Sequence, residues 1–284
     1  MKQFLLLLFL LFSFTLQSQC FDCSKIYGGW IGGQVFDLKK TDNAVYVTIN
    51  THKSGANKTD GHGIYKYDLN CNLIWKKEFP NYSYADYFTV DDQGNLYVLV
   101  NVTQNQNYNG GKEPFYLNGL EFYFGLNLYK ISSEGEVIWN RKIGGTRNLS
   151  KNVFFNKGYI YVTGAFTNTI KINDQITLDT NAYYGREFIA KFDTSGNLLD
   201  AKKYGTGFDI VMTSEIDKNG NIYFARRDPN LTYSAIDKID SNLEVVWQKE
   251  ISNNGNILNK TSYRPTILHY NKENDKLYLW GCFD

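Results

Sequence analysis

Three histidines, four cysteines, a scatter of carboxylates and a large stock of tyrosine are the side chains here whose chemistry could matter. His52 and His62 fall in one polar stretch beside Asp60, while His269 stands far from both. Their spacing does not by itself gather a metal-ligand set, so no metal site is expected. Cys20 and Cys23 form an isolated C-x-x-C, with Cys71 and Cys282 well separated from it. Zinc would need a second such pair, so a local disulfide or free thiols is the better expectation, and a Cys23–Cys71 bridge is a further candidate. Asp86, Asp209 and Glu187 are acids that a folded chain could bring near one axis, where a carboxylate pair would suit glycoside hydrolysis. The stretch from Asp217 has calcium-loop character at its start but no glutamate at the twelfth position, so it reads as a turn. No nucleophile elbow, zinc-protease helix or phosphate loop occurs, and no cofactor is implied. The remaining chemistry is aromatic. Tyr108, Tyr116, Tyr123, Tyr183 and Tyr184 cluster in two long insertions and are the candidate binding residues. Such rings stack on sugar faces or anchor a protein partner, although most aromatics in β structure are packing residues.

The elements that must position these residues recur along the chain. A strand, a turn and a Trp-bearing strand appear as Tyr65-Lys-Tyr-Asp-Leu-Asn-Cys-Asn-Leu-Ile-Trp75 and return at residues 129–139 with Trp139. Further copies lie at residues 190–200, with Asp200 in the Trp position, and at residues 237–247, with Trp247. A second phrase, Val90-Asp-Asp-Gln-Gly-Asn-Leu-Tyr97, is repeated around Tyr223 and more loosely around Tyr46, Tyr161 and Tyr278. Its Asp-x-x-Gly-Asn core is turn chemistry, because Gly and Asn tolerate positive φ and Asp caps the turn. Both phrases are therefore hairpins, and together they supply four strands, A to D, every 51 to 64 residues. That is the signature of a β-propeller of four-stranded antiparallel blades. One blade cannot shield both of its apolar faces, so blades must stack, and the repeated Tyr and Trp are the structural packing units.

The ends of the chain carry their own signals. Lys2 followed by an apolar run over residues 4–16 and polar residues 17–19 has the layout of a signal peptide, giving a leader over residues 1–19 and a propeller over 20–284. A lipid anchor on Cys20 is the alternative fate, with Gln19 ill suited to precede it. Lys25-Ile-Tyr-Gly-Gly29 matches the strand-D endings Lys142-Ile-Gly-Gly145 and Lys203-Tyr-Gly205. Strands A and B recur at residues 265–270 and 276–283. The expectation is four full blades plus a partial fifth completed by an N-terminal strand, in a chain that is C-terminally truncated or else forms a compact five-bladed ring.

The stretch from Tyr161-Val-Thr-Gly-Ala-Phe166 to Glu187-Phe-Ile-Ala-Lys-Phe-Asp193-Thr-Ser-Gly196 resembles the β-propeller repeats of secreted and surface proteins of the Bacteroidetes, a seven-bladed-type repeat family. Asp200, Cys71 and Leu243 depart from its pattern. The resemblance implies a fold and an exported location but no activity. The Gly135-to-Trp139 spacing is similar to the tryptophan-docking repeat of quinoprotein dehydrogenases, but the preceding acid is misplaced, with Asp193 only three residues before Gly196, and that family's paired adjacent cysteines are absent; the sialidase Asp-box does not fit the spacing.

A net charge of +1 without a basic stripe removes the electrostatic case for nucleic acid. The excess sequence between strands B and C, at residues 102–125 and 167–186, is expected to project from one propeller face and carry the tyrosines. The resulting expectation is a monomeric, secreted or cell-surface, non-enzymatic module binding a glycan or a protein. The alternatives are a carbohydrate-active enzyme with axial carboxylates and a structural repeat domain of a longer exported protein.

Overall fold

The computed structural model describes residues 33–51, 61–79, 83–102, 115–117, 120–123, 125–144, 149–166, 169–179, 186–205, 210–227, 234–251 and 263–283. The expected leader, the N-terminal strand, Tyr108, Tyr183, Tyr184, His52, Asp60, Asp209, Cys20 and Cys23 lie outside them. Blade one contains β1 (Gly33–Lys40), β2 (Val45–Thr51), β3 (Gly61–Tyr67) and β4 (Leu73–Phe79). Blade two contains β5 (Ser83–Val90), β6 (Leu96–Val102), β9 (Gly125–Ile131) and β10 (Val137–Ile143), with the short strands β7 (Phe115–Leu117) and β8 (Leu120–Phe122) inserted. Blade three contains β11 (Leu149–Asn156), β12 (Tyr159–Phe166), β15 (Arg186–Asp193) and β16 (Leu198–Tyr204), with β13 (Thr169–Lys171) and β14 (Thr177–Asp179) inserted. Blade four contains β17 (Ile210–Ile216), β18 (Ile222–Arg227), β19 (Ser234–Ile239) and β20 (Val245–Ile251). β21 (Tyr263–Asn271) and β22 (Lys276–Phe283) form a two-stranded fifth element. Each full blade is an antiparallel A-B-C-D meander, as the paired hairpin phrases require. Strand A carries a bulge in every one of these five elements, for example between Val35 and Asp37 and between Ser150 and Asn152. Bulges sharpen the local twist.

Successive A strands touch: β1 meets β5, β5 meets β11, β11 meets β17, and β17 meets β21. The core is accordingly a series of layers between blades. Tyr46, Ile64 and Phe79 of blade one meet Leu96, Val98 and Val100 of blade two. The opposite face of blade two, with Tyr97, Leu99 and Leu128, meets Ile160, Val162 and Phe188 of blade three. Every residue of β6 is buried, since both its faces are covered.

One device joins the blades. In each full blade the strand-B tyrosine, a strand-C lysine and the residue at the Trp position lie abreast: Tyr46, Lys66 and Trp75; Tyr97, Lys130 and Trp139; Tyr161, Lys191 and Asp200; Tyr223, Lys238 and Trp247. The ring centroids of Tyr46–Trp75, Tyr97–Trp139 and Tyr223–Trp247 are 6.2, 6.0 and 6.0 Å apart. Each lysine ammonium sits 5.4 to 5.6 Å from its tyrosine ring. Three of these lysines donate onward to the C–D turn of the next blade, at the carbonyls of Ser133, Thr194 and Ser241. Trp75 and Trp139 donate their indole N–H to the same carbonyls of Ser133 and Thr194. Hydrogen-bonded in this way, a lysine can be held between blades without stranding its charge.

The turn that receives the tryptophan has left-handed backbone at its fourth residue, with Gly135 at φ +89° and Gly196 at φ +81°. A Cβ on Gly135 would lie 2.9 Å from Trp75 Cδ2, so the indole needs a residue with no side chain beneath it. Blade three has Asp200 in place of Trp, and the turn facing it carries Leu243 at φ 63°. The Leu243 side chain fills the space an indole would take, buried with Tyr204 and Phe224, and Tyr204 donates its hydroxyl to the Leu243 carbonyl. Cys71 occupies the same turn position in blade one, also left-handed at φ 65°.

Candidate functional site

The described parts of the insertions, expected to stand up from one face, fold down against the blades. The β13–β14 hairpin buries Ile170 and Ile172 in the layer between blades two and three. Its base is tied to strand D by Lys203 Nζ donating to the Asp179 carbonyl. Its tip, Asn173 to Gln175, reaches the C–D turn at Gly196 to Leu198, where with Arg141 and Lys142 it borders a groove of about 400 Å³. β8 likewise buries Phe122 against Phe79 and Tyr129 between blades one and two, and its Glu121 carbonyl accepts from the Tyr129 hydroxyl. Apolar alternation drives this folding-down, because hairpins standing in solvent would leave Ile170, Ile172 and Phe122 in water.

Of the five candidate binding tyrosines, Tyr123 alone has a described side chain. It is half-buried beneath Lys142, whose ammonium sits 5.4 Å from the ring. Tyr116 is placed by its backbone only, opposite Glu121 in the β7–β8 pair.

The repeat tyrosines divide. Tyr46, Tyr97, Tyr161 and Tyr223 are 0 to 8% exposed, as packing units should be, whereas Tyr278 is 37% exposed. It stands on the fifth element with Trp280 at 49% and Ile267 at 56%. The Tyr278 and Trp280 rings stack at 5.7 Å and 19°, and the His269 imidazole leans on Trp280 at 6.5 Å. Strand periodicity explains the grouping: Tyr278 and Trp280 are two residues apart on β22, and His269 and Ile267 are their register partners on β21.

This aromatic face adjoins a charged cluster on the A strands. His269 Nδ1 lies 3.8 Å from Glu215 Oε2. Burial pushes the Glu215 carboxyl above its usual range, against the pull of the Ile216 and Tyr270 backbone N–H groups and of Lys39 and His269. Lys39 belongs to β1 and Glu215 to β17, so blades far apart in sequence converge here. Asp37, beside Lys39 at 3.5 Å, is also raised, chiefly by burial, and accepts the Phe88 backbone N–H of blade two.

Of the acids expected near the face or axis, Glu187 alone has a described side chain, and Asp209 lies outside the described residues. Glu187 is buried on strand C, opposite Tyr204. Asp86 is the bulged residue of β5, and its side chain lies outside the described set. Asp37 and Glu215 gave no sequence signal, because their place depends on which side of a bulge each falls. His62 is buried in β3, and among the described residues no group of three metal-ligating side chains converges. The Cys71 sulfur is in a disulfide whose partner lies outside the described side chains.

No family model and no curated relative matches the chain. Solved structures do. A Bacteroides caccae protein of unknown function is similar at TM-score 0.37 and 13% identity, over 79% of this chain and 84% of that one. An acylaminoacyl peptidase from Pyrococcus horikoshii matches at TM-score 0.47 and 10% identity over 88% of this chain, which spans only 38% of that enzyme. A family-43 endo-arabinanase from Bacillus licheniformis matches at TM-score 0.35 and 12% identity over 77% of this chain and 73% of its own. Likenesses at these scores carry no argument about activity.

Proposed function

We propose that this chain is an exported, non-enzymatic propeller, of the Bacteroidetes repeat type its sequence resembles, that binds a glycan through the open face of its fifth element. The observation that carries the reading is the exposed Tyr278–Trp280 stack flanked by His269 and Glu215. Sugars combine apolar faces with hydroxyl rims, and an aromatic stack beside a carboxylate and an imidazole offers a partner to each. The disulfide at Cys71 supports export, since such bonds persist in oxidising compartments. The test is a glycan array on the purified full chain, followed by calorimetry on the best binder. Trp280→Ala is expected to weaken binding at least tenfold. Loss on Tyr116→Ala and Tyr123→Ala instead would move the site to the β7–β8 insertion. Binding of no glycan at all would reject the reading in favour of a protein partner or a structural role.

Asp37 and Glu215 favour a second reading, a carbohydrate-active enzyme, because both are half-buried acids held above their usual range and share Lys39 as a neighbour. Release of reducing ends from a polysaccharide, abolished by Glu215→Gln, would establish it.

A further inference from the structure

The geometry points to a second binding site, a groove at the rim between blades two and three that takes an anionic sugar residue, either a uronate or a sulfated sugar. The site is separate from the fifth element, and the inference does not rest on what that element binds.

Three segments far apart in sequence build the groove. Arg141 and Lys142 come from strand D of blade two, Asn173 to Gln175 from the tip of the β13–β14 hairpin, and Gly196 to Leu198 from the C–D turn of blade three. Its volume of about 400 Å³ falls in the range of small-molecule sites.

Arg141 is fixed in place by the protein itself. Its Nε donates to the Gly196 carbonyl at 2.9 Å, Nη2 to the Ser195 carbonyl at 3.2 Å and Nη1 to the Asn140 carbonyl at 2.7 Å. The guanidinium carbon also lies 5.3 Å from the Trp139 ring centroid. A guanidinium carries five N–H donors, so one remains on each Nη nitrogen. Two donors on one rigid plane match the paired oxygens of a carboxylate or a sulfate. Lys142 adds a second cation, its ammonium 5.4 Å from the Tyr123 ring. Neither cation is paired with a carboxylate among the described residues. Asp174, the only acid among the described residues that line the groove, is paired with Lys171 at 2.7 Å. The lining is therefore net positive, and it favours an anion.

The rest of the lining suits a sugar. Asn173 Oδ1 accepts the backbone N–H groups of Gln175 and Ile176 at 2.9 and 2.7 Å, so Asn173 offers its Nδ2 as a donor. The exposed Gln175 side chain adds a second amide at the same tip. Amides exchange hydrogen bonds with hydroxyls, while Leu198, Ile172 and Phe192 give apolar surface to the C–H face of a sugar ring.

The test is calorimetry on the purified full chain at low salt with a galacturonate trisaccharide, its uncharged methyl ester and a sulfated disaccharide. An acidic probe is expected to bind and the ester is not. Binding of the galacturonate assigns the carboxylate and binding of the sulfated sugar assigns the sulfate, and either or both support the site. Lys142→Gln should weaken that binding about fivefold, the scale of one exposed ion pair. Arg141→Lys should weaken it about tenfold, because the paired donors are lost. Raising the salt should weaken it as well, since both cations are exposed. Lys142→Gln guards against misfolding: the exposed Lys142 side chain forms no hydrogen bond among the described residues, so its melting temperature is expected to stay unchanged. Binding of neither acidic probe, equal binding of the ester, or binding unchanged in both variants overturns the inference. So does a loss in Trp280→Ala without a loss in Lys142→Gln, which would put the acidic sugar on the fifth element.

Discussion

Replacing Gly135 by alanine probes the contact that joins blades one and two. Two costs add at this position. An alanine at φ +89° is disfavoured by roughly 1–2 kcal/mol. Its Cβ would also stand 2.9 Å from Trp75 Cδ2, and relieving that overlap moves an indole held by its hydrogen bond to Ser133, costing about 1–3 kcal/mol. Gly158 is the matched control, with φ +82° and nothing within 4 Å of its would-be Cβ. Gly158→Ala carries the backbone cost alone, and the unfolded-state entropy change of Gly→Ala is common to both variants. The difference between them isolates the indole contact at about 1–3 kcal/mol. Urea unfolding followed by circular dichroism measures it as a lower midpoint for Gly135→Ala. Placed in a Trp75→Ala background, the same substitution should cost no more than Gly158→Ala does. Equal destabilisation of the two single variants, within ~0.5 kcal/mol, would refute the Trp-over-Gly account.

The remaining predictions concern charge. Burial raises the phenols of Tyr97, Tyr129, Tyr204 and Tyr223, and that of Tyr161 to about 12. The folded state prefers these phenols neutral, so their contribution is complete below pH ~10 and is lost as pH rises through the folded values. Ultraviolet titration should show tyrosine ionisation coinciding with loss of the β signal, whereas titration near pH 10 with the fold intact would contradict the burial. Arg226 Nε and Asp237 Oδ2 form an ion pair at 2.7 Å with both side chains buried. Asp237→Ala is expected to cost about 3–5 kcal/mol in urea, against a much smaller loss for Arg226→Met with Asp237→Leu. Glu215, raised by burial, favours the folded state when protonated, and that contribution is lost as pH rises from its unfolded value through its folded one. Glu215→Gln should therefore raise the melting temperature at pH 7 and change it little at pH 4. An unchanged melting temperature at both would show that the carboxylate is not burdened by burial.

Hairpins were legible from the sequence because they are local. Asp217 caps its own turn through Asn219 and Asn221, and Asp193 does the same through Ser195 and Asn197. Alternation marked the strands, and repetition marked the blades. Where the β7–β8 and β13–β14 insertions would lie was not legible, since that depends on an apolar slot built between two blades. The candidate site was harder still. Tyr278 looks like the buried Tyr97 in sequence, and its exposure depends on what packs beside it. Asp37 and Glu215 resemble any strand acid until a bulge and a neighbouring blade turn them inward.

The chain's sequence alone determined the unit, a four-stranded sheet made of a Tyr-bearing and a Trp-bearing hairpin, because each hairpin is encoded within about a dozen neighbouring residues. The tertiary structure decided which turn can be glycine, leucine or half of a disulfide, where the insertions rest, and which aromatic face meets solvent. Those outcomes are set by contacts between residues some 40 to 70 positions apart, such as Trp75 with Ser133 and Tyr204 with Leu243. No local pattern can register them, because each residue's surroundings are supplied by a different blade.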